Sequence, residues 1–149
     1  SQLEFILDDI GLPPSPIPKI DRKLYGLSFE QYYKADAFML KYISDSNNEK
    51  WLKEAVKAMT DGRIRQLMDW QKKGLVIWWN GIKKYMMEKY PFVFQEGGEI
   101  TDKTPADILQ ELLSTMNNYK PQDNDKILKS DVHSVLFTLN QIHKSNANK

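Results

Sequence analysis

Apolar residues recur along this chain at spacings of three and four, the period of a helix with one buried face. Ser28 and Gln31 stand as a capping-box pair, and Phe29, Tyr33, Ala37 and Leu40 follow at helical spacing. Ser46 and Glu49 repeat that signature ahead of Trp51, Leu52, Ala55, Val56 and Met59, and Asp61-Gly62 ends the stripe. Ile64, Leu67 and Met68 predict a third helix, and Leu75, Trp78, Trp79, Ile82, Tyr85 and Met86 a fourth. Gly74 lies between them. Glycine costs about 1 kcal/mol inside a helix, so the pattern leaves open whether the two are one. Pro91 ends the fourth helix, because the residue before a proline is pushed out of the α region.

Residues 91–104, with Gly97-Gly98, read as a loop. Thr104 as N-cap and Pro105 in the first turn then open a helix carrying Ile108, Leu109, Leu112, Leu113 and Met116, which Asn117-Asn118 and Pro121 close. A short helix holds Ile127 and Leu128. The last one starts at Ser130 or Asp131 and buries Val132, Val135, Leu136, Leu139 and Ile142. At the front, Leu3, Ile6, Leu7 and Ile10 predict a short helix stopping at Gly11. Pro13, Pro14, Pro16 and Pro18 follow; they fix φ and lack an N–H, so this stretch reads as an extended arm or linker. No run alternates as a strand does, and only Pro91-Phe92-Val93-Phe94-Gln95 looks extended.

The expected fold class is all-α, a compact bundle of about five to seven short helices with a proline-rich N-terminal arm. Residues 1–23 would hold the short helix and arm, 24–144 a helical domain divisible at the 91–104 loop, and 145–149 a frayed tail.

Composition narrows the chemistry. At 149 residues, 41% hydrophobic and 28% charged, the chain has the make-up of one ordinary domain. It has no cysteine, which excludes disulfides, thiol catalysis and thiolate metal sites. His133 and His143 lie roughly 80° apart around one helix, which disfavours a two-histidine metal site there. Asp8, Asp9, Asp36 and Asp61 read as scattered carboxylates at helix ends and loops. GxxxxGK[ST], GxGxxG, HExxH and GxSxG are all missing. The expectation is a non-enzyme with no catalytic, metal or cofactor-binding residue. With no stretch near the ~18 apolar residues of a membrane span and no export signal at the start, a cytoplasmic location is expected.

The formal net charge of +1 hides an uneven distribution. Residues 50–90 carry 10 basic and 4 acidic side chains between two acidic flanks. Lys72, Lys73, Lys83 and Lys84 are expected on a shared helical face, with Trp70, Trp78, Trp79 and Tyr85 interleaved, so a nucleic-acid-binding module is the alternative reading. The favoured reading places these tryptophans on the apolar stripe and the lysines in solvent.

Trp78 and Trp79 point about 100° apart on a helix, so one of them is expected at the rim. Tyr90, Phe92 and Phe94 follow in a segment that leaves the helix. They either pack back onto the core or, with Trp78, Trp79, and Leu12 and Ile17 of the arm, form a partner-binding surface. The arm also carries a PxxP match, Pro13-Pro14-Ser15-Pro16, better read as a rigid spacer. A short apolar helix ahead of a stiff arm would suit docking on a neighbouring subunit.

Three stretches carry a family likeness. Leu24-Tyr25-Gly26-Leu27-Ser28-Phe29-Glu30-Gln31-Tyr32-Tyr33-Lys34-Ala35-Asp36 resembles the opening of small all-helical proteins encoded among tail genes of Bacteroidetes phages and prophages. Trp78-Trp79-Asn80 through Lys89-Tyr90-Pro91-Phe92-Val93-Phe94 resembles their aromatic helix and following YPxxF segment. Asp125-Lys126-Ile127-Leu128 and the run from Val132 to Asn140 resemble their closing helix. Glu30 departs from the pattern, which has glycine there, and the proline arm is unusual. The resemblance implies a tail-assembly chaperone or minor virion component, in the host cytoplasm or the virion. It would bind a tape-measure-like structural protein or its own copies, with no membrane and no cofactor.

Overall fold

Capping chemistry sets where the helices begin. Ser28 Oγ accepts the Gln31 N–H at 3.1 Å while Gln31 Oε1 accepts the Ser28 N–H at 3.0 Å, and helix α1 (Phe29–Ser44) follows. Helix α2 (Lys50–Thr60) begins differently from the expected Ser46–Glu49 box. Ser46 and Asn47 both take left-handed backbone (φ 50° and 58°), and the helix opens only after Glu49. Its end is as expected: Asp61 and Gly62 are left-handed, and their N–H groups return to Lys57 O.

The computed structural model describes residues 12–63, 66–116 and 118–148. The predicted first helix and Ile64 lie outside them. Residues 66–68 are not helical, so the expected third helix does not extend there. Instead Gln71 Oε1 takes the Met68 N–H at 2.9 Å, and one long helix, α3 (Asp69–Lys89), runs through both Gly74 and Gly81. Residues 91–94 form a turn rather than an extended run. The extended backbone comes next, in a hairpin of β1 (Gln95–Glu96) and β2 (Glu99–Ile100), turned by Gly97 and Gly98, both at positive φ. Thr104 and Asp107 form the reciprocal cap of α4 (Pro105–Ser114), with Pro105 in its first turn. Helices α5 (Pro121–Lys129) and α6 (Val132–Ala147) follow, and α6 stays helical to Ala147, inside the stretch expected to fray. The all-α expectation holds: six helices and one small hairpin among the described residues.

Helix α1 is central, packing most extensively on α2 and also against α4, α5 and α6. A backbone bridge fastens the starts of α1 and α6: Phe29 N–H donates to Ser130 O at 2.8 Å and Val132 N–H to Leu27 O at 2.9 Å.

The proline segment is part of this body, not an arm beside it. Leu12, Pro16 and Ile17 are buried. The segment lies on one stripe of α3, where Gln71 Nε2 donates to Pro16 O at 3.2 Å and Trp78 Nε1 to Arg22 O at 2.9 Å. Where a side chain would stand at Gly74, Pro16 lies 3.4 Å from the Cβ position; at Gly81, Leu12 and Pro13 lie at 3.1 and 3.2 Å. The two glycines are therefore packing residues, two turns apart.

Candidate functional site

Most of the residues expected to meet a partner are interior. Trp78, Trp79, Tyr90, Phe94, Leu12 and Ile17 are each buried, and Phe92 is half-buried with its N–H donated to Asn140 Oδ1 at 2.9 Å. The physical reason is that α3 is covered on two sides, by the proline segment and by α1, so both adjacent tryptophans find a buried face. Both are also hydrogen-bonded, Trp78 to Arg22 O and Trp79 to Asp36. The tryptophan left outside is Trp70.

The basic face is likewise divided. Lys73 and Lys84 are exposed. Lys72 pairs with Glu49 at 2.9 Å, and Lys83 turns inward between Asp36 at 3.2 Å and Asp102 at 3.3 Å. Four lysines spaced for one solvated stripe thus become two free cations and two internal partners of carboxylates.

His133 organises one polar cluster. Its Nε2 faces Lys23 O at 2.6 Å, an acceptor only, so Nε2 carries the proton and Nδ1 accepts from the Tyr90 hydroxyl at 2.7 Å. Tyr25 stacks on the ring at 4.0 Å between centroids. Burial lowers the pKa of His133, partly offset by the Lys23 carbonyl. With both nitrogens engaged, the imidazole has no lone pair left for a metal or for proton abstraction. Its position makes it a clamp on the chain that returns from the proline segment. Outside it, the Lys89 ammonium donates to the Tyr25 and Tyr85 oxygens. That bond to Lys89 lowers the pKa of Tyr25, whereas burial raises that of Tyr85 to about 12.

A different arrangement occupies the groove between α1 and α3. Asp36, Met39, Leu40 and Ile43 from α1 meet Val76, Trp79, Asn80 and Lys83 from α3, each set at i, i+3, i+4 and i+7, and Tyr42 of α1 joins them. Asp102 and Thr104, ahead of α4, complete a pocket of about 130 Å³. Asp36 is 2% exposed. Its Oδ1 accepts from Trp79 Nε1 at 3.0 Å and from Lys83, but its Oδ2 is buried with no hydrogen-bond partner. One ammonium faces two carboxylates, which leaves the pocket with one negative charge. The phenol of Tyr32, one turn before Asp36, is also buried without a partner, and burial followed by the two aspartates pushes its pKa well up. Around the mouth, Leu40 (48%) and Ile43 (63%) stand in solvent, as does Ile77 (62%), beside Val76 and one turn from Asn80.

The sequence pattern places Asp36 at a helix end or loop and Leu40 on a helical stripe, and marks neither Ile43 nor Ile77. The available signal was an acid flanked by Tyr32, Ala35 and Met39 on the apolar row of a helix, where a carboxylate needs partners to be tolerated. Among the described residues, no group of three or more histidine or acidic side chains is placed to hold a metal ion, and no helix is long and apolar enough to cross a membrane. No protein-family model, no curated protein and no solved structure matches this chain.

Proposed function

We propose that this chain is a non-enzymatic protein that works by docking a partner protein on the α1–α3 groove. The observation that carries the reading is a pair of exposed aliphatic residues one turn apart, Leu40 and Ile43, that line an acidic pocket between two helices, with Ile77 exposed farther round α3. Aliphatic side chains this exposed on regular helices are what a contact surface requires, and helices hold them in fixed register. The sequence resemblance to phage tail-assembly proteins supplies the context: a tape-measure-like structural protein, or a second copy of the chain, as the partner. This moves the contact surface away from Trp78, Trp79 and residues 90–94, which the fold uses internally.

The test is a double substitution, Leu40→Glu with Ile43→Glu, read by co-purification with the products of neighbouring genes and by mass in solution. The expected result is loss of the complex with helical circular dichroism and melting temperature unchanged. A complex that survives the double change puts the contact elsewhere, and a chain that pairs neither with itself nor with those products ends the proposal.

A further inference from the structure

Resting on that reading, we infer that the groove pocket receives a cationic side chain of the partner, an arginine, between Asp36 and Asp102. Three observations point to a cation. First, Asp36 Oδ2 is a carboxylate oxygen in a pocket-lining residue that is almost wholly buried, yet no donor reaches it. A buried acceptor left open is costly, and an incoming N–H removes that cost. Second, Lys83 neutralises only one of the two carboxylates it touches, and Asp102, with 60% of its side chain exposed, remains open to solvent at the pocket edge. Third, Leu40, Ile43 and Val76 line or rim the approach, the surroundings in which the methylene stem of a long basic side chain is buried while its charged head goes deeper.

Arginine suits the site better than lysine. Its planar head offers five donors and is weakly hydrated, so one group can bond the outer carboxylate of Asp102 beside an existing ammonium and, with a small shift of the pocket wall, the covered inner oxygen of Asp36. A lysine would set two compact, strongly hydrated ammonium groups against each other. The pocket of about 130 Å³ has room for such a head group.

The Trp79 indole N–H, bonded to Asp36 Oδ1, is a built-in reporter of this pocket. The experiment titrates the whole protein with agmatine, decarboxylated arginine with a guanidinium at one end and an ammonium at the other, and follows the four tryptophan indole signals by nitrogen–proton correlation NMR at low salt. The Trp79 signal is expected to move and saturate with a Kd on the order of 1–10 mM, the range open to a ligand of this size. Asp102→Asn, which removes an exposed charge without touching the core, should weaken binding about 3–10-fold. No movement up to about 50 mM agmatine overturns the proposal, and it assigns the free oxygen of Asp36 to an internal water. An equal shift with n-butanol overturns it as well, since the pocket then responds to apolar stems alone, and 1,4-diaminobutane, of equal charge, binding as tightly as agmatine overturns the choice of arginine. The two proposals fail separately. A partner complex broken by the Leu40/Ile43 change, with no agmatine binding, keeps the docking face and removes the cation. Agmatine binding with no partner complex does the reverse.

Discussion

Helix α3 presents two contrasting faces. On one, Gln71, Gly74, Trp78 and Gly81 receive the proline segment: the carbonyls of Pro16 and Arg22 find donors, and the glycines leave just enough room for Pro16, Leu12 and Pro13. On the other, Val76, Trp79, Asn80 and Lys83 border a pocket with an unpartnered carboxylate oxygen and a rim of aliphatic side chains in water. The first face is closed by the chain itself. The second is built to the same standard of rigidity but left open. The contrast teaches that aromatic content is a poor guide to interaction here: both tryptophans are buried and hydrogen-bonded within the fold, and the strongly exposed apolar residues of the open face are aliphatic.

The largest effect is expected at the open face. Asp36→Ala leaves Lys83, only 13% exposed, with Asp102 alone, and strips Trp79 Nε1 of its acceptor. Breaking a buried ion pair this way costs about 3–5 kcal/mol, readable as a lowered urea midpoint. A loss under about 1 kcal/mol would mean that Asp36 is not integrated as described.

The closed face should answer next, with opposite signs at its two glycines. Gly81→Val drives a branched side chain into Leu12 and Pro13, already 3.1 and 3.2 Å from the Cβ position, and should destabilise by about 1–3 kcal/mol. Gly74→Ala meets Pro16 at ordinary contact distance, 3.4 Å, and gains helix propensity, so it should be neutral or stabilising by up to about 1 kcal/mol. If both changes are harmless, the segment is not seated on α3.

The smallest effect is the pH response of the His133 clamp. Its folded pKa lies below the ordinary 6.5, so the unfolded chain takes up the proton first. The stabilisation is therefore complete above about pH 6.5 and declines as pH falls from there through the lower folded pKa. Chemical denaturation between about pH 7 and 5.5 should show this slope, and His133→Gln should flatten it.

How much of this was legible in the sequence depended on the range of each signal. The caps at Ser28 and Thr104 were readable because their chemistry spans four residues. The box at Ser46 failed on the same scale, when left-handed Ser46 and Asn47 shifted the start of α2 to Lys50. Gly74 and Gly81 could be read only as weak points in a helix, because their purpose lies in Pro16, Leu12 and Pro13, far away in sequence. Periodicity also assumes one buried face per helix; that assumption sent one of Trp78 and Trp79 to the rim, whereas a helix covered on two sides buries both. The acidic pocket escaped for a related reason, since Asp36, Lys83 and Asp102 come together only through the fold.

The seating of the proline segment on α3 also bears on the order in which the molecule takes shape. Its hydrogen bonds to Gln71 and Trp78 join residues 55 and 56 positions apart. During synthesis the covering strip leaves the ribosome first and must wait for its helix, while α1 and α2, joined by a short turn, can pair earlier. Loop closure over so many residues costs more than local pairing, so the strip is expected to close over α3 after α1 and α2 have paired.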